Sequence, residues 1–152
     1  MRSGRDGEEH LLTKPTLDVE LTDVLQAWCE THPVSLCVVF GSQATGRARP
    51  DSDVDIAVWP TTELEPLTKL AWVHDLMLAL GREVSLVLVT PALDPVLGME
   101  IGRHGIPVYA ETPESWPRAC VRFMQLYNDA LPFLRREREA LHRAAEEWSR
   151  GS

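Results

Sequence analysis

The chain has 152 residues, of which 44% are apolar, and this is enough for the core of one domain. It carries 15 lysines and arginines against 23 aspartates and glutamates, which gives a formal net charge of −8. The acidic balance argues against direct binding to nucleic acid, and no apolar run approaches the roughly 18 residues that a membrane span needs.

The predicted elements begin after a flexible tail, residues 1–14, which lacks the apolar centre of a secretory signal. We therefore expect a cytoplasmic protein with no membrane partner. A helix is predicted to open at Pro15 and Thr16 and to end before Pro33. Its apolar face comprises Leu17, Leu21, Val24, Leu25 and Trp28.

A second helix is predicted to begin with the capping-box spacing of Thr62 and Glu65 and to end at Gly81. Helical periodicity assigns it an apolar face, with His74 as a packing residue rather than a metal ligand. The members of that face are Leu67, Leu70, Ala71, His74, Met77 and Leu78.

Strands alternate with these helices, and a helical region closes the chain. The predicted strands are 34–40, 54–59, 83–89 and, more briefly, 107–109, and a short helix that carries Glu100 and ends at Gly105 precedes the last of them. A helical extension over 113–149 is predicted to break or kink at Pro132 and to pack on the domain or on a partner. The pattern predicts an α/β or α+β domain with a small sheet over residues 15–112.

The three cysteines, Cys29, Cys37 and Cys120, show no spacing that is typical of a metal site. We expect them to be buried thiols of a protein in a reducing compartment.

The most informative stretch is VVFGSQATGRARPDSDVDIAVWP, residues 38–60. Asp53 and Asp55 alternate along a strand, so their side chains project on the same side, about 7 Å apart. Like charges at this separation repel, and a divalent cation relieves the repulsion. Carboxylate oxygens on a rigid strand are ligands that Mg²⁺ accepts alongside water and phosphate. An alternative is that Asp53 caps a loop and Asp55 lies in solvent.

The loop before this strand has the features of a phosphate-binding loop. Gly41 and Ser42 follow an apolar strand, and such small residues let a phosphate approach the backbone N–H groups. A helical turn over Ser42–Ala44 would add a positive dipole end. Arg47 and Arg49 can reach phosphate oxygens, although solvated loop arginines are the simpler reading.

Gly41-Ser42, ten intervening residues and Asp53-x-Asp55 together resemble the nucleotidyltransferase superfamily related to DNA polymerase β, whose pattern includes Gly46 and Ser52. The resemblance implies an α+β sandwich with a small mixed sheet, Mg²⁺ as cofactor and ATP as substrate. Ser42, Arg47 and Ser52 would join Gly41 in binding the nucleotide, and Asp53 and Asp55 would be the metal ligands.

In its short length the chain resembles the minimal nucleotidyltransferase (MNT) group, whose members are typically antitoxins paired with HEPN-domain RNase toxins. This resemblance implies transfer of AMP from ATP to a tyrosine of a HEPN-domain partner.

The family's third carboxylate is expected within a triplet that here reads Val84-Ser85-Leu86. A neutral serine does neither job of that carboxylate well, as metal ligand or as base. Glu83, two residues earlier on the same face, is a partial substitute, and water is another. Three functions therefore stay open: an adenylyltransferase antitoxin, an inactive MNT-fold module that neutralises a toxin by occlusion, and a small-molecule nucleotidyltransferase.

Overall fold

A computed structural model of the chain describes residues 17–41, 44 and 53–151. Their strands form one four-stranded mixed sheet, which confirms the predicted small sheet. The strands are β1 (Val34–Phe40), β2 (Val54–Pro60), β3 (Val84–Leu88) and β4 (Ile106–Ala110). Their order is β3-β2-β1-β4, with β1 antiparallel to β2 and β4 and with β2 parallel to β3.

Helices cover both faces of the sheet. They are α1 (Val19–Glu30), α2 (Pro66–Leu80), α3 (Pro95–His104) and α4 (Ser115–Gly151). Because strand side chains alternate between faces, β2 contributes to two cores. Val54, Ile56 and Val58 pack with α1 and α2, whereas Ala57 packs with α3 and the first turns of α4. The α+β sandwich expected from the sequence is thus the observed architecture.

Helix α1 begins later than predicted. Asp18, rather than a residue near Pro15 and Thr16, is the N-cap, and its carboxylate accepts a hydrogen bond from the backbone N–H of Glu20 at 3.0 Å. An aspartate in this position satisfies one of the free N–H groups of the first turn. Leu17 therefore precedes the helix, while Leu21 and Leu25 are buried as predicted.

Helix α2 corrects two predictions. The helix starts at Pro66 after Glu65, which makes no side-chain capping bond, so the capping box with Thr62 is wrong; Pro66 fixes the first turn instead. The buried face is also different, because Trp72 and Leu76 face the sheet. Much of the predicted face is exposed, namely Leu67, Leu70, Ala71, His74 and Leu78.

Helix α3 packs closely on α4 through two glycines. A Cβ on Gly98 would lie 2.8 Å from the ring of Phe123, and one on Gly102 would lie 3.2 Å from it. Any larger side chain at these positions would push α3 away from α4. The close contact, together with buried Ile101, holds α3 over the face of the sheet that includes Ala57.

Helix α4 is continuous over 37 residues and contains Pro132 in its interior, so the predicted break is wrong. A proline removes one backbone N–H from the helix, but here the helix continues beyond it. At 1.5 Å per residue α4 is about 55 Å long. Its buried residues, Ala119 and Phe123, lie near its start, and Leu141 and Trp148 are exposed. None of the described helices combines the length and apolarity required to span a membrane.

Two of the three cysteines are core thiols, as predicted. A hydrogen bond with Cys29 and burial raise the pKa of the Cys37 thiol, which keeps it protonated and unreactive. Cys120 departs from the prediction because it is only partly buried, and its Sγ lies 3.9 Å from the carbonyl oxygen of Gly102.

Candidate active site

Asp53 and Asp55 lie at the beginning of β2. Val54 and Ile56 point into the core under α1 and α2, so the two aspartates project from the opposite face, together with Ala57. Asp53 is exposed and Asp55 is half-buried. The strand thus presents both carboxylates at one end of the face that α3 and α4 cover.

Gly41 directly adjoins the Asp55 carboxylate. Phe40 and Asp55 are paired in the antiparallel ladder of β1 and β2, and Gly41 follows with a φ of 70°. A Cβ at Gly41 would collide with Oδ2 of Asp55. Both the left-handed backbone and the close approach require glycine here. The glycine bend and the acidic strand therefore meet at Gly41 and Asp55, while the roles predicted for these residues stay predictions.

The other predicted nucleotide-binding residues, Ser42, Arg47 and Ser52, lie outside the described residues, as do Gly46 and Arg49. The predicted helical turn over residues 42–44 also lies outside them, except for Ala44, which is buried. The roles of Ser42, Arg47 and Ser52 in binding phosphate stay predictions.

The register of β2 and β3 locates the missing carboxylate position. Asp55 is the direct partner of Ser85 in the parallel ladder. Burial and the charges of Asp53 and Glu100 raise the pKa of Asp55, and the neighbouring Ser85 hydroxyl partly opposes that rise. An uncharged side chain therefore occupies the strand position beside Asp55.

Glu83, the predicted substitute, precedes β3 and is exposed. The backbone N–H of Val54 donates to its carbonyl oxygen at 3.0 Å, so Glu83 lies level with Asp53 rather than with Asp55. In the described part of the chain, no three acidic, histidine or cysteine side chains converge closely enough to form a metal site. Glu83 thus flanks the carboxylate pair without completing a third position beside Asp55.

Glu100 is the residue of this site that the sequence reasoning did not assign. Burial is the main cause that raises the pKa of Asp55, followed by the charges of Asp53 and Glu100. Glu100 lies on α3, between Leu97 and Ile101 in the sequence and at the edge of the surface that packs on the sheet. Glu100 shares a helical face with Leu97 and Ile101, and this pattern could have indicated that it lies near the sheet. The sequence did not show which strand that face covers.

The donor set fits a hard divalent cation. Asp53 and Asp55 supply carboxylate oxygens from one strand, and such ligands suit Mg²⁺ when water and phosphate complete its coordination. Among the described residues the ion pairs join side chains within α4 only, between Glu146 and its neighbours His142 and Arg150.

An acidic strand pair set against a glycine bend on a mixed sheet defines a nucleotidyltransferase-type fold. The sequence model of the family described as "Polymerase beta, Nucleotidyltransferase" matches residues 23–114. The chain belongs to this family. No curated protein shows significant sequence similarity to it.

Several solved structures with the same fold are of toxin–antitoxin complexes. A toxin–antitoxin structure with AMP-PNP contains a chain that is 22% identical, with a TM-score of 0.66, over 85% of this chain and 99% of that one. For an MntA–HepT complex the identity is 21% and the TM-score 0.63, over 84% and 97% of the two chains. A structure of a tri-AMPylated Shewanella oneidensis HEPN toxin with its MNT antitoxin gives 20% identity and a TM-score of 0.62, over 84% and 97%. At these identities the similarity shows a shared fold.

Proposed function

We propose that the chain is an MNT-type antitoxin that neutralises a HEPN-domain toxin by Mg²⁺-dependent transfer of AMP from ATP to a tyrosine of the toxin. The observation that carries this proposal is the contact of Gly41 with the half-buried Asp55, because it sets one of the two carboxylates against the glycine that would let a phosphate approach the backbone. The toxin partners, AMP-PNP and AMPylated toxin of the structural neighbours support the assignment.

Each residue of the proposed site has a distinct task. Gly41, with Ser42, Arg47 and Ser52, binds and orients the phosphates of ATP. Asp53 and Asp55 hold Mg²⁺, with Glu83 beside Asp53. When bound, the cation would neutralise negative charge on the carboxylates and on the triphosphate, and this would favour attack at the α-phosphorus.

The reaction is an in-line displacement. The acceptor hydroxyl oxygen forms a bond to the α-phosphorus, the bond from that phosphorus to the bridging oxygen breaks, and pyrophosphate leaves. Positioning of the two reactants supplies much of the rate, and no covalent intermediate with the chain is required.

The domain organisation follows from the same assignment. Residues 15–112 form the nucleotidyltransferase domain after the tail 1–14. The extension 113–149, most of whose length is α4, offers an exposed helix that a toxin can contact. We assign the complex to the cytoplasm.

A second function is favoured by one observation, the neutral Ser85 beside Asp55. In that alternative the chain binds the toxin and blocks it sterically without efficient transfer. A small-molecule nucleotidyltransferase is the third alternative, and it would need a substrate-binding region for which α4 is the available element.

The experiment is to incubate the chain with ATP, Mg²⁺ and the HEPN-domain protein encoded beside it, and to measure intact masses. The proposal predicts that the partner gains one or more AMP units and that Asp53→Ala abolishes the gain. A tight complex whose partner mass is unchanged would support occlusion, and a chain that neither binds nor modifies that partner would favour the small-molecule alternative.

A further inference from the structure

The position beside Asp55 lacks a base. Ser85 occupies it as the ladder partner of Asp55. A neutral serine hydroxyl is too weak a base to take a proton from an attacking alcohol or phenol. If the site transfers AMP, the proton of the acceptor has to go to another group.

Glu100 approaches the site from outside the sheet. Leu97 and Ile101 pack α3 on the face of the sheet from which Asp55 projects, and Gly98 and Gly102 fix α3 against Phe123. Glu100 is carried at the edge of that packed surface. It is close enough for its charge to act on Asp55, and it is exposed, so a substrate can reach it.

An open cleft adjoins Glu100. It has a volume of about 210 Å³ and lies between α3 and Tyr127 in the first half of α4. Apolar and polar side chains line it, as a phenol would need: Val96, Met99, Glu100, Arg103, His104 and Tyr127. Glu100 is the carboxylate among these side chains, so the hydroxyl of a tyrosine in the cleft can donate a hydrogen bond to it.

We propose that Glu100 is a catalytic residue that accepts the proton of the acceptor hydroxyl while the acceptor side chain occupies the α3–α4 cleft. The inference rests on the proposed function. As the hydroxyl oxygen bonds to the α-phosphorus and pyrophosphate departs, the hydroxyl proton passes to a carboxylate oxygen of Glu100. Glu100 thus performs from a helix the task that a carboxylate at the Ser85 position would perform from the sheet.

The first test measures single-turnover transfer to the partner at saturating ATP. Glu100→Gln should slow transfer by about 100-fold or more, the usual effect of losing a general base, with unchanged affinity for the nucleotide. Formate should restore part of the rate in Glu100→Ala but not in Asp53→Ala. Glu30→Gln, an exposed change at the end of α1, is the matched control and should keep the wild-type rate. A wild-type rate in Glu100→Gln, or no rescue by formate, would overturn the proposal.

The second test needs no turnover. Methyl NMR signals of Val96 and Met99 are followed while N-acetyltyrosinamide or N-acetylphenylalaninamide is added in the presence of Mg²⁺ and α,β-methylene-ATP. A hydrogen bond to a charged carboxylate predicts about tenfold tighter binding of the tyrosine compound, and Glu100→Gln should remove that difference. Equal binding of the two compounds to the wild type would refute the assignment of the cleft.

The two tests separate this inference from the proposed function. Rapid transfer by both the wild type and Glu100→Gln would leave the function standing and reject Glu100. No transfer by the wild type, with a tyrosine preference that depends on Glu100, would reject the function and support recognition of the hydroxyl by Glu100.

Discussion

Asp55 and Ser85 are direct neighbours in the parallel ladder of β2 and β3, and the serine hydroxyl partly offsets the rise in the pKa of the carboxyl that burial causes. The pairing makes Ser85 the position from which a third carboxylate would reach the site. Because Ser85 is uncharged, the site carries less negative charge than it would with a third carboxylate at this position.

Ser85→Asp is therefore expected to increase AMP transfer, by about tenfold, because another carboxylate beside Asp55 strengthens the binding and orientation of Mg²⁺. Without Mg²⁺ the same variant should melt at a lower temperature, since like charges would be adjacent. Ser85→Asn removes the same hydroxyl without adding charge and is the control. Equal transfer rates in the two variants would contradict the assignment of this strand position.

Gly41→Ala should destabilise the fold and abolish nucleotide binding, because its Cβ would collide with the Asp55 carboxylate. Gly81 provides a matched control: its φ is 66°, and a Cβ there would meet nothing within 4 Å. Gly81→Ala should cost about 1 kcal/mol of unfolding free energy from backbone strain alone. Chemical denaturation and ATP titration of both variants check the comparison, and equal effects on ATP binding would argue against the contact.

Asp55→Asn should stabilise the protein at neutral pH in the absence of Mg²⁺ while it abolishes transfer. Burial and neighbouring charges raise the pKa of Asp55, so the folded state binds its proton more tightly than the unfolded state does. The contribution of Asp55 to the unfolding free energy of the wild type therefore falls as the pH rises from the ordinary aspartate pKa through the raised one. Melting temperatures of wild type and Asp55→Asn should converge at low pH and separate above the raised pKa. Asp75→Asn, exposed on α2, should track the wild type.

The distal part of α4 is expected to serve binding rather than stability. Trp148 is 80% exposed, so Trp148→Ala should change the unfolding free energy by less than about 0.5 kcal/mol. Phe123 is 4% exposed and packs on α3, so Phe123→Ala should cost about 4 kcal/mol. Calorimetry with the HEPN partner should show weaker binding for Trp148→Ala. Wild-type affinity in that variant would mean that the toxin binds elsewhere.

The sequence predicted local features well where one signal dominated. The bounds of β1 were predicted correctly because its run of β-forming residues ends at a glycine, and the alternation of Asp53 and Asp55 placed both on one face. In contrast, α2 is apolar on several sides, so helical periodicity could not choose between the face of Leu67 and Leu70 and the face of Trp72 and Leu76.

Residues brought to the site by distant packing were harder to predict. The role of Glu100 depends on which face of the sheet α3 covers, and that is decided by the contact of Gly98 and Gly102 with Phe123, more than twenty residues further along the chain. A break or a kink was expected at Pro132, and the break is wrong because the residues after it retain strong helical preference and the helix continues.

Isothermal titration calorimetry of the wild type and Asp53→Asn with α,β-methylene-ATP and Mg²⁺ tests the central claim most directly. If the acidic pair holds a metal-bound triphosphate against the Gly41 bend, the wild type should bind the nucleotide only when Mg²⁺ is present. Asp53→Asn should bind it at least about tenfold more weakly, because one carboxylate ligand of the cation is lost. No measurable binding by the wild type, or equal affinities of the two proteins, would contradict the account.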